Sequence, residues 1–251
     1  MREGAVESPH AFNMYVGDLR QKIEAAHPRL CKLMGVIVAV ILYADDAAIP
    51  ADSPEDLQLA ADIFQDFCNS HRLFIATSKT FVTVFHPVGD TGVVFQDGQV
   101  FVDGVLVDIQ VYGEKVTAVP TFKYLGVVLN STCTHDDHLA ARCAAFERAA
   151  WLLHSGLSRI PSFSHSFMMY LWGALVTPVG NYGMELFAMP ATAVDAMQNR
   201  ERKHWRKLLQ VGGRAPNHAV QILCSTQHCS VEWRAQRAGL VFRLANSPAG
   251  S

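Results

Sequence analysis

The sequence predicts an α+β fold in which a mixed first half gives way to an all-helical second half. Three observations predict it. Short runs of β-branched and aromatic residues, at 36–42, 80–85, 92–113 and 122–129, crowd the first half. Two segments with helical spacing lie among them. From about Thr134 onward the apolar residues fall at helical spacing throughout, punctuated by Gly156, Pro161, Pro178 and Pro190.

Taken in order, Ser8 and Pro9 read as an N-cap and first helical residue. Phe12, Tyr15, Val16, Leu19 and Ile23 then share one face, so a helix is expected over 9–26, closed by Pro28. The apolar stretch 33–44 reads as one buried strand, too short for the roughly 20 residues that cross a bilayer. Ser53-Pro54-Glu55-Asp56 opens a second helix with acidic residues in its first turn. Leu57, Ala60, Ala61, Phe64, Phe67 and Cys68 would line its buried face. Thr80 to Phe85 reads as a strand, and Asp97-Gly98 and Asp103-Gly104 read as tight hairpin turns. A strand over 122–129 follows Pro120. Helices are expected over 135–154, 163–177 and 191–210, with a weaker one near 230–245. Trp151, Trp172, Trp233, Met168 and Met169 sit among apolar residues at helical spacing and read as core.

Composition is that of an ordinary globular chain, 50% hydrophobic and 18% charged over 251 residues. No charged segment followed by an apolar one marks a secretory leader. The cysteines at 31, 68, 133, 143, 224 and 229 form no C-x-x-C pair, so reduced thiols in a soluble, intracellular protein are expected, with the nucleus an option. Cys224, His228 and Cys229 cluster, but adjacent ligands make a poor zinc geometry. The net charge of -2 hides a division. Residues 1–137 hold 18 acidic and 9 basic side chains, and residues 138–251 hold 5 acidic and 12 basic. A basic half suits contact with phosphates, although it also describes a solvated helix surface.

The sharpest chemical signal is Tyr43-Ala44-Asp45-Asp46 at the end of an apolar run. Two adjacent carboxylates beside a core must be paired or bind metal. Magnesium held by one or two carboxylates and substrate phosphates would meet that cost. A solvated turn is the plainer alternative. Three further segments stand in a telling order with it. They are Gly4-Ala5-Val6-Glu7-Ser8-Pro9-His10-Ala11-Phe12-Asn13, then Leu73 to Thr80 with Lys79, then Phe122-Lys123-Tyr124-Leu125-Gly126-Val127.

Together these resemble the reverse transcriptases. The Phe-Lys-Tyr-Leu-Gly form is similar to that of non-LTR, LINE-type retrotransposon polymerases. Tyr182-Gly183-Met184-Glu185 resembles the region after their palm. The resemblance implies an RNA-directed DNA polymerase working by two-metal nucleotidyl transfer, with Mg2+ as cofactor and an RNA template and DNA primer as partners. It makes Asp45 and Asp46 the metal ligands and catalytic pair, and Tyr43 and Ala44 the floor under the primer end. Lys79 becomes the acid that protonates pyrophosphate, on a strand. Gly4, Ser8 and Pro9 open the long palm helix. Phe122, Lys123, Tyr124, Leu125 and Gly126 become the primer grip. A lysine at a strand start and a core strand are the bland readings of the last two segments.

The resemblance divides the chain into a partial palm, an antiparallel sheet with helices, at 1–90, a β-hairpin extension and primer-grip-like strand at 91–130, and an all-helical thumb-like region at 131–251. On the 191–210 helix, Val194, Met197, Trp205 and Leu208 form a buried stripe. Arg200, Lys203 and Lys207 share one other face, and Arg202 and Arg206 a second. The first of these faces would track a template-primer duplex. In the family another metal-binding aspartate stands on a strand upstream of the Gly-x-x-x-Ser-Pro segment. Only Met1-Arg2-Glu3 precede Gly4, and Glu3 stands where the family usually has glutamine. The expectation is a truncated polymerase without fingers or first aspartate, inactive alone unless another chain supplies the missing palm strand. The alternative is a non-catalytic, nucleic-acid-binding remnant. No membrane partner is expected.

Overall fold

The computed structural model describes residues 16–26, 32–33, 36–160, 162–224 and 229–245. The chain divides into two compact units between Pro120 and Thr121. The fold is α+β, as the sequence patterns indicate.

In the first unit, helix α1 (Asp18–Ala26) turns Leu19 and Ile23 fully inward. Its expected start at Ser8-Pro9 lies outside the described residues. The stretch expected as one strand is broken. It gives β1 (Lys32–Leu33) paired with β2 (Val36–Ile37), then β3 (Ile41–Tyr43) folded back on β4 (Asp46–Ala48). Ala39, between the two hairpins, is buried in the core with Val16, Leu19, Ile23, Phe67 and Cys68. An apolar run looks the same in sequence whether it stays straight or bends to bury a small residue at the corner.

Helix α2 (Pro54–Ser70) begins as its sequence dictates. Ser53 is extended, and its hydroxyl accepts a hydrogen bond from the Asp56 N–H at 3.1 Å. Ala60, Ala61, Phe67 and Cys68 are buried, and Leu57 and Phe64 half-buried. The opposite flank of α2 grips a β-segment. Gln58 donates to the Gln110 carbonyl at 3.0 Å and accepts from the Gln110 N–H at 2.8 Å.

The strands beyond α2 form small separate sheets rather than one antiparallel sheet. The strand expected over 80–85 shrinks to β5 (Phe81–Val82). A three-stranded meander follows, β6 (Val93–Gln96), β7 (Gln99–Val102) and β8 (Val105–Val107). Asp97-Gly98 and Asp103-Gly104 make its turns, all four residues at φ between 49° and 78°. This is the paired left-handed geometry of the tightest hairpins. A third such turn, Tyr112-Gly113, joins β9 (Gln110–Val111) to β10 (Glu114–Lys115). Strand β11 (Thr117–Ala118) then pairs parallel with β5. That ladder stops early because Pro120 follows, and proline has no N–H to extend it. Val82, Val100, Val107, Ile109 and Ala118 form the core here.

The second unit starts with a hairpin, not the single strand expected over 122–129. Strand β12 (Thr121–Tyr124) pairs with β13 (Val127–Asn130) around Leu125-Gly126, both left-handed at φ 46° and 82°. Among the described residues six α-helices follow: α3 (Asp136–Leu157), α4 (His165–Leu175), α5 (Thr177–Asn181), α6 (Ala191–Leu208), α7 (Asn217–Cys224) and α8 (Cys229–Ala245). Helix α7 had no clear periodicity in the sequence, being little more than two turns long. Ser164 caps α4 by accepting the Phe167 N–H at 3.1 Å. Among the described residues, no helix is long and apolar enough to cross a membrane.

Phe146, Trp172, Val176, Met184, Met197, Trp205, Val220 and Trp233 fill one core. Trp172 and Trp205 lie with ring centroids 4.5 Å apart. Trp151 is a correction to the sequence reading. It is 61% exposed, because the inward face of α3 is taken by Cys143, Phe146, Ala150, Leu153 and Leu157. Leu208 is half-buried, at the end of the α6 stripe.

The tightest point is Gly180. A Cβ there would sit 2.5 Å from Met197 Cε and 2.9 Å from the Phe146 ring. Overpacking a filled core costs about 1–3 kcal/mol. Gly180→Ala should lower the thermal midpoint of the full chain, read by circular dichroism. Gly173→Ala, where no atom lies within 4 Å, should not.

Candidate active site and nucleic-acid interface

The two carboxylates sit where a strand pair reverses. Tyr43 pairs with Asp46 across the β3–β4 hairpin, which makes Ala44-Asp45 its two-residue turn. Ala44 takes φ +52°. A left-handed L-residue costs roughly 1–2 kcal/mol, so this turn is held by its flanking pairs rather than by local preference. Tyr43 is 63% exposed, and Ala44, Asp45 and Asp46 are exposed with it. The motif is therefore a projecting tip. Its two carboxylates offer the hard oxygen donors that Mg2+ takes, one or two per ion, with substrate phosphates completing the shell. Asp45 and Asp46 fit that role. Among the described residues, no group of three His, Cys, Asp or Glu side chains is placed to hold a metal. Cys224 is fully buried, with its thiol pushed up to about 12 by burial and by Glu201. His228 lies outside the described residues.

Lys79 is a second correction. It ends a 3-10 turn, Thr77–Lys79, rather than lying on a strand. Its N–H bonds the Ala76 carbonyl at 2.9 Å, and the Thr80 hydroxyl bonds the same carbonyl at 3.0 Å. Thr and Ser make such local bonds readily and so compete with a ladder. The lysine side chain is exposed. Gly4, Ser8 and Pro9 lie outside the described residues.

In the second unit, Phe122, Lys123, Tyr124, Leu125 and Gly126 occupy β12 and its turn. Lys123 is exposed and the rest half-buried. Two residues that sequence reasoning gave no role hold this hairpin. The Tyr182 hydroxyl donates to the Leu125 carbonyl at 2.6 Å, and its ring lies 3.0 Å from where a Gly126 Cβ would stand. His138, in the first turn of α3, is fully buried. Its Nδ1 accepts the Val128 N–H at 3.1 Å and its Nε2 meets the Tyr182 carbonyl at 2.9 Å. Those partners require the neutral ring with its proton on Nε2. Gly183, at φ +74°, lies against the same histidine and Val127, each 3.0 Å from its would-be Cβ. A lone histidine in a helix's first turn gives no sequence signal of this kind. Tyr182-Gly183 was legible only as part of a resemblance.

The basic face of α6 is sorted by its neighbours. Arg200 is half-buried, donates to the Ala196 carbonyl at 3.0 Å and lies 3.9 Å from Glu147. Lys203 and Lys207 are exposed. On the second face, Arg202 bonds Gln198 at 2.6 Å and Asn199 at 3.0 Å. Arg206 bonds the Ala215 carbonyl at 3.0 Å and Asn217, holding the loop before α7. Between α6 and α3, His204 Nε2 meets Glu147 at 2.6 Å, and its Nδ1 meets His154 Nε2 at 3.2 Å.

A family model for reverse transcriptase (RNA-dependent DNA polymerase) matches residues 1–129. This chain belongs to that family. No curated protein and no solved structure matches it.

The imidazoles set a pH dependence. Burial, then His204 and Lys207, hold His154 down at about 4, and burial outweighs the Tyr182 bond to lower His138 as well. The unfolded chain therefore binds protons on these rings below about 6.5 that the folded chain does not. Stability should be full above pH 6.5 and fall as pH drops towards 4. Urea midpoints between pH 4.5 and 7.5 measure this, and His154→Gln should flatten the curve.

Proposed function

We propose that this chain carries the palm hairpin and thumb of an RNA-directed DNA polymerase of the non-LTR, LINE type. The observation that supports it most is the exposed Tyr43-Ala44-Asp45-Asp46 tip within the matched residues. The subtype rests on the Phe122-Lys123-Tyr124-Leu125-Gly126 hairpin. A divalent ion held by Asp45 and Asp46 would stabilise the attacking and leaving oxygens.

The chain's own residues do the rest. Asp45 and Asp46 hold the ion, and Tyr43 and Ala44 floor the primer end. Lys79 Nζ gives a proton to the departing pyrophosphate, a contribution of about 100- to 10,000-fold for general acids. The β12–β13 hairpin, fixed by His138 and Tyr182, seats the primer strand. Lys203 and Lys207 meet the phosphates of the template-primer, and Arg200, held by Ala196 and Glu147 on the same face, adds its charge behind them. Two ions need more oxygen ligands than one turn presents, so a further carboxylate from outside this hairpin completes the site.

Mn2+ titration followed by electron paramagnetic resonance tests the tip. Wild type should bind the ion, and the Asp45→Ala, Asp46→Ala double variant should lose it with an unchanged circular dichroism spectrum, since both side chains are exposed. Primer extension by this chain alone should stay near background. Strong incorporation, abolished in the double variant, would show that the hairpin needs no outside carboxylate. Metal binding that survives the double replacement, with nucleic-acid binding intact, would favour the non-catalytic binding protein instead.

Nucleic-acid affinity should fall steeply with salt, about 0.9 log units per log unit for each duplex phosphate neutralised. Replacing Arg200, Lys203 and Lys207 together by Gln should flatten that slope by up to about three such steps. An unchanged slope would remove this face from the interface.

A further inference from the structure

We propose that Trp151 is a stacking platform for an unpaired base, so that the lip between α3 and α6 takes a single-stranded stretch of nucleic acid. The proposal rests on the nucleic-acid reading above and names which part of the template-primer lies here.

Trp151 is 61% exposed, whereas Trp172, Trp205 and Trp233 are at 1%, 1% and 4%. An exposed indole is a large apolar surface left to water, and its position is informative. Trp151 stands four residues after Glu147 and three before His154, so it shares their flank of α3. That flank lies along α6. Glu147 is 2.6 Å from His204 and 3.9 Å from Arg200, and His154 is 3.2 Å from His204. Lys207 stands three residues after His204, on the same flank of α6. Lys203 lies one turn before it on the same edge of α6, and both lysines are exposed. Arg148, next to the Glu147 flank, is exposed too.

The balance of charge on this lip is positive, because Arg200 lies 3.9 Å from the Glu147 carboxylate and leaves Arg148, Lys203 and Lys207 in excess. The Glu147 carboxylate is engaged by His204, and Asp195 falls on the far side of α6 by helical spacing. The lip thus combines an open aromatic face with flanking cations. Single-strand binders use that combination: cations follow the backbone while bases stack on an aromatic ring. A blunt duplex keeps its bases stacked on one another and offers the indole nothing but an end.

The test uses the full chain and its own fluorescence. Trp151 is the one exposed tryptophan of the four, so quenching by a base reports on it. An oligo(dT) single strand, or a duplex with a single-stranded overhang, should quench the emission. A blunt duplex should bind through the lysines and leave it unchanged. Trp151→Ala should abolish the quenching and weaken single-strand affinity roughly 5- to 150-fold. Its salt slope should not change, because stacking releases no counterions. Trp151→Phe should recover part of the affinity.

Salt-sensitive binding without quenching, or Trp151→Ala with full affinity, would overturn the stacking role and leave the basic face standing. Equal quenching by blunt duplex would overturn the single-strand assignment. An absence of any salt-sensitive binding by wild type would sink both this inference and the reading beneath it. Concentration-dependent self-association that Trp151→Ala removes would assign the indole to a contact between two copies.

Discussion

The second unit is organised around one buried imidazole. His138 accepts the Val128 N–H of the hairpin on one ring nitrogen and donates a hydrogen bond to the Tyr182 carbonyl from the other. A neutral ring satisfies two part-buried backbone groups at once, one as acceptor and one as donor. Tyr182 then returns through its hydroxyl to Leu125, closing a loop of contacts over the turn. Gly126 and Gly183 are required there because the Tyr182 and His138 rings occupy the space a Cβ would need, and both backbones are left-handed. The hairpin's position is thus fixed by a helix and by a segment over fifty residues later.

The same unit shows how a core decides which cations face water. Trp172, Trp205 and Phe146 fill the inside, and Gly180 lets Met197 close against Phe146. With α6 seated on that core, its basic residues are sorted by what lies beside them. Arg200, Arg202 and Arg206 reach protein oxygens. Lys203 and Lys207 face solvent. Arginine's fork suits fixed bonds to carbonyls and amides, and lysine's single charge suits a mobile contact with phosphate.

The first unit follows a different logic. Its strands are two to four residues long, and left-handed turns close several of its pairs. Most of those turns use a glycine. The Ala44-Asp45 turn does not, and so carries strain at the tip where the carboxylates project. A tip held by its own short ladder presents Asp45 and Asp46 to solvent, where an ion and its phosphates can reach them.

Sequence alone determined the α+β division, the capped start of α2 at Ser53 and the Asp-Gly turns, and it singled out Asp45 and Asp46 as the carboxylates that follow an apolar run. Each rests on local chemistry: a cap hydroxyl, a glycine at positive φ, two charges after an apolar run. It also placed the main helices of the second half to within a few residues, since their periodicity persists over several turns. Tertiary structure decided what local chemistry leaves open. It bent the 33–44 run at Ala39, cut β5 to the two residues that β11 can pair before Pro120, and wound Lys79 into a 3-10 turn. It turned Trp151 outward, because helical spacing marks an apolar residue without saying which neighbours have already filled the inward face. It gave His138 and Tyr182 their roles, since a hydrogen bond between residues 44 apart in the chain exists only once the helices have packed.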